Sequence, residues 1–424
     1  MSEEIHKTRT LWLCTALHAF THLYHVALIP LYLLIRKDFQ LTSDGAATFL
    51  VTIMGIAYFL PSYPMGVLAD RVSRKKLLGF GLALNALGFI GLSFAPNYGA
   101  AVGCLILAGF GGSFYHPAST ALIARLFPNE TGQALGKVGI GASLGFFVGP
   151  IYAGWRAETA GWRQPILELG ILGVIGAVLF LFLAKEHSIP KINFAEKDPA
   201  KKLGPEKMFA TPMLWTFFIA ASFAFCLRDF AGMGMATLGS LFLQRAHHFD
   251  LRQTGVALSF IYLASAVSNP LFGKLSDGGR VRWTSFLLTV AAITIFIFPR
   301  ISPEMVIPVL IIYGFFFMAS YPIVEAALME SVHDSVRGRV FGFFITIGGL
   351  LGNLSHWLVG DWVKRLGASA NSPSSYFKIY NVLALFCLLS LIGLAFLHAI
   401  RKREKAASTL LPRPVEALNN PQFE

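Results

Sequence analysis

The sequence predicts an all-α polytopic membrane protein whose twelve transmembrane helices form two pseudo-symmetric bundles of six. One observation is the composition, with 55% apolar and only 14% charged residues. Another is a series of apolar runs long enough to cross about 30 Å of hydrocarbon. The last is the recurrence of the same loop motif in both halves, which predicts an internal repeat. Continuous runs do not fit a barrel of about ten-residue alternating strands.

Each apolar run is expected to form one membrane-spanning helix, numbered helix 1 to helix 12 in chain order. The runs cover residues 11–35, 46–68, 77–95, 99–124, 133–155, 165–184, 211–243, 253–275, 282–299, 304–329, 339–362 and 377–399. The first run is too long for a signal-peptide core and is expected to be retained. The four cysteines fall in four different runs without paired spacing, so buried thiols are expected rather than disulfides or a metal site.

Lysine and arginine are concentrated in the even-numbered connections and in both tails, which predicts that both termini are cytoplasmic. The net charge of +12 is therefore assigned to the membrane surface, and no nucleic-acid partner is expected. A multi-pass protein of the cell membrane is predicted, which is the inner membrane in a Gram-negative bacterium. The predicted domains are an N-terminal bundle at 1–184, a cytoplasmic linker at 185–210, a C-terminal bundle at 211–400 and a cytoplasmic tail at 401–424.

Matching loop motifs relate the two halves. GVLADRVSRKK follows helix 2 and GKLSDGGRVRW follows helix 8, so that Gly66 and Asp70 correspond to Gly273 and Asp277 at an offset of 207 residues. HPAST at 116–120 likewise aligns with YPIVE at 321–325 in helix 10. Two halves with the same loop devices are typical of transporters built from internal repeats.

The loop after helix 2 resembles the signature of the major facilitator superfamily. The matching residues are Gly66, Asp70, Arg71, Arg74 and Lys75, with Ser73 replacing the second glycine of the signature. The resemblance covers essentially the whole chain and implies the major facilitator fold with alternating access. It also implies that these residues and Asp277 form a conformational gate and do not bind substrate. No cofactor is implied, and a monomer is expected because both halves occur in one chain.

Helix 5 contains the stretch GKVGIGASLGFFVGPIYAG. Its small residues and proline are Gly136, Gly145, Gly149, Pro150 and Gly154. Their spacing resembles the signature of proton-linked antiporters, apart from Ala153, which replaces a further glycine. Small residues let helices approach closely and proline permits a bend, so the helix is predicted to act as a hinge. Ordinary small-residue packing explains the pattern equally well.

Ionisable residues inside a membrane span are costly and are expected to face a cavity or a partner. They fall in helices 1, 4, 7 and 10, which the resemblance implies line the central cavity. The predicted cavity residues are His18, His22, His25, His116, Arg228, Asp229 and Glu325, with Tyr24, Tyr115, Phe225 and Tyr321 supplying aromatic contacts. Glu168, near the start of helix 6, is the exception and can reach the membrane surface.

The three histidines of helix 1 recur at i, i+4 and i+7 and therefore form one stripe. This stripe has three interpretations: hydrogen bonds to neighbouring helices, proton exchange near neutral pH, or ligation of a transition metal. No metal site is predicted, because metal sites usually need more convergent ligands.

Arg228 and Asp229 are adjacent and point about 100° apart on a helix, so each is expected to have a different partner. Arg228 is predicted either to bind an anionic substrate or to form a salt bridge with Glu325. Glu325 is the preferred proton carrier, since a buried carboxylate without a permanent partner takes up a proton readily. His22 and Asp229 are the alternative proton carriers.

GGSFYHPASTALIA in helix 4 and HAFTHLYHVALIPLYLL in helix 1 resemble the fosmidomycin-resistance branch of drug exporters. The chain departs from that branch at Thr21 and His22, where the branch has an Asn-Asp pair. A secondary transporter and not an enzyme is expected, exporting a small amphipathic or anionic organic compound, such as a drug, in exchange for protons. The alternatives are proton-coupled uptake of an organic anion, export of a divalent metal ion, and a membrane sensor without transport.

Overall fold

The computed structural model describes residues 2–69, 71–128, 130–186, 208–209, 211–332 and 336–410, and in these residues it is a helical membrane protein. Twelve helical segments in this part of the chain are long and apolar enough to cross a membrane. Most of the predicted linker at 185–210 and the tail beyond residue 410 lie outside the described residues. All four cysteines are free thiols, and Cys104 is only half-buried.

The predicted spans are confirmed, and most are longer than expected because the helices continue beyond the apolar core. Helices 1 to 6 are Glu3–Asp38, Asp44–Ala69, Arg74–Ser93, Tyr98–Leu126, Gln133–Ala160 and Arg163–Leu183. Helices 7 to 12 are Pro212–Ala246, Leu251–Gly278, Arg280–Arg300, Pro303–Met329, Arg339–Asn371 and Pro373–Arg403.

The two halves repeat the same packing. Helix 1 packs on helix 5, helix 2 on helix 4, and helix 3 on helices 4 and 6. In the second half helix 7 packs on helix 11, helix 8 on helix 10, and helix 9 on helices 10 and 12. Each pair in one half has its counterpart six helices later, which confirms the two pseudo-symmetric bundles.

Helix 4 is divided into the α-helices Tyr98–Gly112 and Tyr115–Leu126. Pro117 explains the break, because a proline has no N–H and its ring clashes with the carbonyl four residues earlier, here that of Ser113. Its counterpart in helix 10 behaves differently, since Val306–Met329 stays a single α-helix through Pro322. The break places His116 at the start of the second helical piece.

Helices 2 and 11 join the two halves along small residues. An added Cβ at Gly45 would lie 3.1 Å from the backbone nitrogen of Asp361, so the two backbones are in close contact. Two turns deeper, the Thr52 hydroxyl donates to the Asn353 carbonyl at 2.8 Å and accepts from the Trp357 N–H at 3.0 Å. This polar contact fixes helix 2 against helix 11.

Helices 5 and 8 form the second contact between the halves. A Cβ added at Gly255 would overlap the carbonyl oxygen of Pro150, and one added at Gly154 would overlap that of Leu251. Further along, the rings of Phe146 and Tyr262 are stacked with centroids 4.6 Å apart. We call the 2–11 and 5–8 contacts together the seam.

The seam lies toward one side of the membrane. We call the side on which helix 1 begins the amino-terminal face and the other the opposite face. The seam runs from the opposite face to about mid-membrane. Toward the amino-terminal face, a Cβ added at Gly136, Gly139 or Gly273 would have no described heavy atom within 4 Å. The two halves therefore enclose a cleft that opens at the amino-terminal face.

A buried carboxylate joins the halves at the opposite face. Asp44 is 3% exposed and pairs with Arg36 of its own half at 3.0 Å and with Arg245 of helix 7 at 2.8 Å. Close by, the Ser240 hydroxyl donates to the Ile29 carbonyl at 2.7 Å. These contacts hold the opposite face closed.

Asp44→Asn is expected to weaken this closure, because the amide cannot balance the charge of two arginines. Losing one charge-assisted hydrogen bond costs about 1.5–3 kcal/mol, so the closed state should lose about tenfold in population or more. The reactivity of a cysteine placed at Tyr262 toward a maleimide reagent added from the opposite face measures this shift. Asp38→Asn is the control, since Asp38 pairs with Arg163 inside the first half. Equal reactivity in both variants would contradict the prediction.

Candidate functional site in the cleft

Three histidines from helices 1 and 4 lie together in the first half. One ring nitrogen of each of His18, His22 and His116 lies within 4.8 Å of the others. The His18 ring is stacked on Tyr115 with centroids 4.7 Å apart, and it meets the His116 ring edge-on at 5.1 Å. The structure therefore brings two residues of the helix 1 stripe together with the helix 4 histidine.

Hydrogen bonds orient these imidazoles. His18 Nδ1 donates to the Val138 carbonyl of helix 5 at 2.9 Å, which leaves its Nε2 as the acceptor. His22 Nε2 lies 3.0 Å from His18 Nε2 and is therefore the donor of that pair. His25 Nδ1 donates to the Thr21 carbonyl of its own helix at 2.9 Å. Backbone carbonyls thus set the orientation of two of the three rings in the stripe.

The same histidines differ in exposure. His18 is buried, His22 and His25 are half-buried, and His116 is exposed. The His116 ring nevertheless lies 5.6 Å from His22 and 6.2 Å from Tyr58, which are both inside the first half. Its exposure is therefore to the cleft and not to lipid.

Two buried polar atoms near His116 have no hydrogen-bond partner among the described residues. They are His25 Nε2 and the Tyr58 hydroxyl, on rings that meet edge-on at 4.5 Å. Unpaired polar atoms are costly in a membrane interior. These two atoms are therefore the unsatisfied polar groups of the first half nearest to the three histidines.

In the second half, Arg228 and Asp229 form a buried ion pair. Arg228 Nε and Nη2 donate to Asp229 Oδ1 at 3.0 and 2.8 Å, and Arg228 is 1% exposed. The expectation that these neighbours have different partners is wrong, because the long arginine side chain folds back across the helix surface. The Arg228 guanidinium also lies 4.0 Å from the centre of the Tyr321 ring.

Glu325 lies one helical turn after Tyr321 and is half-buried. It forms no hydrogen bond or ion pair with any residue in the described part of the chain. The predicted salt bridge between Arg228 and Glu325 is therefore absent from this conformation. Glu325 is a cleft carboxylate near a guanidinium that is already bound to Asp229.

Helix 11 approaches Asp229 closely at two glycines. A Cβ at Gly348 would lie 2.6 Å from Asp229 Oδ2, and one at Gly352 would lie 3.1 Å from the Asp229 Cβ. These glycines leave the space that the carboxylate occupies. They were not singled out in the sequence analysis.

Two of the four aromatic residues predicted to line the cavity do not do so. Tyr24 is 1% exposed and donates to the Leu169 carbonyl of helix 6 at 2.9 Å. Phe225 is fully buried against helices 11 and 12. Both predictions are wrong for this conformation, since these rings fill interhelical space on the sides of helices 1 and 7 away from the cleft. Tyr115 is 5% exposed, whereas Tyr321 is half-buried.

The small residues of helix 5 have two different neighbours. A Cβ at Gly145 would overlap the Ala19 carbonyl oxygen of helix 1, and one at Gly149 would lie 2.9 Å from the Val26 side chain. Pro150 and Gly154 instead contact helix 8, and Gly136 faces open space. Both the packing and the hinge interpretation of this helix are compatible with this arrangement.

The predicted gate lies at the amino-terminal face, where the cleft is open. The Arg74 guanidinium donates to the Ala69 carbonyl at 3.3 Å, and Asp277 accepts from Arg280 at 3.0 Å. Asp70 lies outside the described residues. These contacts stay within one half, as expected for a gate whose two sides are apart.

Glu186 caps helix 3 beneath this gate. Its carboxylate accepts from the Ser73 hydroxyl at 2.6 Å and from the backbone N–H groups of Arg74 and Lys75, each at 3.1 Å. A carboxylate at a helix N-terminus is favourable for the helix dipole. Of the other predicted gate residues, Gly66 lies in the last turn of helix 2 and Arg71 lies on the loop. The end of helix 6 thus holds the loop between helices 2 and 3.

The sequence of residues 11–356 matches the family model described as Major Facilitator Superfamily. The chain belongs to the Major Facilitator Superfamily. This confirms the predicted family and fold. It also confirms that the protein is a transporter and not an enzyme, because the superfamily consists of transporters.

Relatives within the superfamily include named drug efflux proteins. The chain is 29% identical over 323 residues to the multi-drug resistance efflux pump PmrA of Streptococcus pneumoniae, covering 72% of this chain and 76% of that one. It is 25% identical over 365 residues to multidrug resistance protein 2 of Bacillus subtilis, covering 83% and 89%.

A solved structure supports the same fold. The crystal structure of a bacterial homologue of the human lysosomal transporter Spinster, in an inward-facing and unoccupied conformation, superposes with a TM-score of 0.75. The match covers 94% of this chain and 97% of that chain at 16% sequence identity.

Sequence reasoning missed His356 of this major facilitator. It lies on helix 11, is 5% exposed and bonds through Nδ1 to the Thr237 hydroxyl, which is 3.1 Å from the Tyr32 hydroxyl. The signal was present, since an ionisable residue inside a predicted span is expected to have a partner. This network joins helices 1, 7 and 11 beyond the seam.

Proposed function

We propose that this protein is a secondary active transporter that works by alternating access and exports a small amphipathic or anionic organic compound in exchange for protons. The positive-inside rule assigns the amino-terminal face to the cytoplasm, together with both termini. On that assignment the cleft described here is open to the cytoplasm, as in the inward-facing Spinster homologue. Rocking of the N-terminal bundle against the C-terminal bundle would open the opposite face. We further propose that a monomer in the cell membrane is sufficient.

The cleft favours an amphipathic compound over a simple anion. Its aromatic groups include the half-buried rings of Phe146, Tyr262 and Tyr321 and the exposed ring of His116. Among the described residues of helix 7, Arg228 is the cationic side chain near this cleft. Two of its donors, Nε and Nη2, are already bonded to Asp229. An anionic group would have to break that ion pair before Arg228 could bind it.

The observation that carries the proposal is Glu325. Proton exchange needs a group that reaches water, lacks a permanent counter-ion and lies close to the substrate site. Glu325 meets these conditions in the second half, whereas Asp229 is held by Arg228 and His22 by His18. We therefore assign proton exchange to Glu325, with Asp229 and His22 as secondary candidates. The names of the efflux relatives support export.

Glu325→Gln is expected to abolish substrate-driven proton movement, because the amide keeps the shape of the side chain and cannot release a proton. The measurement uses purified protein in vesicles with a pH-sensitive dye inside, and a panel of antibiotics, organic anions and divalent metal ions. The proton signal should fall to that of empty vesicles, and its sign in the unmodified protein separates antiport from symport.

Glu330→Gln is the matched control for this experiment. Glu330 lies five residues later, immediately after helix 10 ends, and pairs with Arg280 at 2.7 Å and Arg401 at 3.5 Å outside the cleft. This variant should keep the proton signal. Proton movement that is unchanged in Glu325→Gln would disprove the assignment of coupling to Glu325, and a response to metal ions alone would favour the metal exporter.

A further inference from the structure

We propose that His18, His22 and His116 form a binding site for one transition metal ion of the zinc class, with an open coordination position toward the cleft. This inference goes beyond the proposed proton-coupled transport and does not depend on it. It rests on the positions of the three imidazoles, on the hydrogen bonds that orient them and on their graded exposure.

The spacing of the ring nitrogens fits a metal ion. Tetrahedral zinc with Zn–N bonds of about 2.0–2.1 Å places its ligand nitrogens about 3.3 Å apart. His18 Nε2 and His22 Nε2 are already 3.0 Å apart, and all three ligand atoms lie within 4.8 Å of one another. His116 is the ligand that must move toward the other two, and as the exposed member of the group it has room to rotate.

The orientation of His18 is that of a metal ligand. Metal-bound histidines usually donate their second ring N–H to a carboxylate or a backbone carbonyl, which fixes the other nitrogen as the ligand atom. His18 Nδ1 donates to the Val138 carbonyl, so its Nε2 lone pair points at His22. A metal ion between these two nitrogens would replace the shared proton, and the proton of His22 would move to its Nδ1.

Ligand chemistry selects the class of ion. Three neutral imidazoles suit zinc and neighbouring transition metals, whereas calcium and magnesium prefer oxygen ligands. Three histidines with one further position for water or substrate form the ligand set of open zinc sites. His116 is exposed to the cleft, so that position is accessible from the amino-terminal face.

Packing makes the site part of one bundle. His18 and His22 lie on helix 1, which is in direct contact with helix 5. A Cβ added at Gly141 of helix 5 would overlap the Thr15 carbonyl oxygen and lie 3.1 Å from the His18 Cβ. His116 lies in the first turn of the second piece of helix 4, Tyr115–Leu126. The bound ion would therefore join helices 1 and 4 within the N-terminal bundle and would not lock the two bundles together.

Titration of the purified, untagged full chain with Zn²⁺ and Co²⁺ tests this inference without any transport measurement. Calorimetry should show one Zn²⁺ per chain, and Co²⁺ should give the visible absorption of a tetrahedral site. His22→Ala and His116→Ala should each weaken binding by at least about 10–100-fold, the loss typical even for residues that only support a metal ligand.

Two further variants separate ligation from misfolding. His356→Ala removes a buried histidine outside the trio and should keep the affinity for Zn²⁺. His116→Cys supplies a different zinc ligand at the same place and should restore binding, with a sulfur-to-cobalt charge-transfer band in the ultraviolet. Absence of one-to-one binding in the unmodified chain would overturn the site, and so would His22→Ala or His116→Ala binding Zn²⁺ as tightly as the unmodified chain. Because no substrate is used, a failed transport assay leaves this test unaffected.

Discussion

Gly255→Leu is expected to separate helix 5 from helix 8 and to abolish transport. A Cβ at Gly255 would overlap the Pro150 carbonyl oxygen, and a leucine adds three more carbons in the same direction. Inserting atoms into a packed contact costs about 1–3 kcal/mol. The equilibrium should therefore shift about 5–150-fold away from the conformation that closes the opposite face, and alternating access would stop.

Spin labels on cysteines at Thr159 and Arg252 report this change, because both residues are exposed at the ends of helices 5 and 8 next to the seam. The distance between the labels should lengthen in Gly255→Leu, and transport into vesicles should fall to background. Gly103→Leu is the control, since a Cβ there has no described neighbour within 4 Å and the residue is exposed on helix 4. An unchanged label distance in Gly255→Leu would show that the seam tolerates larger residues.

Asp229→Ala is expected to destabilise the protein strongly. Arg228 would keep its charge at 1% exposure without the carboxylate that now accepts two of its hydrogen bonds, and its Nη1 already lacks a partner among the described residues. Breaking one side of a buried ion pair costs about 3–5 kcal/mol. Unfolding of the purified protein by increasing SDS in mixed micelles measures the loss of free energy.

A double variant distinguishes the ion pair from simple loss of packing. Arg228→Met with Asp229→Ala leaves no buried charge, so most of the lost stability should return. The same measurement on Arg228→Met alone completes the cycle. Additive losses in the double variant would show that the two side chains do not stabilise each other.

The fold was predictable because its signals are long and local. Each of the twelve apolar runs marks one helix, although several helices extend well beyond their run, and the repeated loop motif predicts the two halves. The rotation of each helix was harder to predict. Tyr24 is two residues from His22 and so lies about 200° around the helix, which already placed it away from the histidine stripe. The position of Phe225 could not be excluded in this way, since it lies three residues before Arg228 and therefore on a neighbouring face of helix 7.

The candidate site was predictable in its residues and not in its pairings. The histidines of helices 1 and 4 were identified because ionisable residues are costly inside a membrane span. Their contacts, however, depend on the break before Pro117 and on the Val138 carbonyl of helix 5. The pair of Arg228 and Asp229 depends on a side-chain rotamer, which helical angles do not describe. His356 was missed although its predicted span was known.

The Thr52 contact has a consequence for the energy of opening. Its hydroxyl bonds the Asn353 carbonyl and the Trp357 N–H, two groups one helical turn apart that pair with each other in an uninterrupted α-helix. Because the α-helix Arg337–Leu366 runs without interruption through both residues, the two groups keep each other as helical partners when helix 2 moves away, so neither is left unsatisfied in a membrane without water. The two halves can thus be joined by a polar contact whose release needs no solvent.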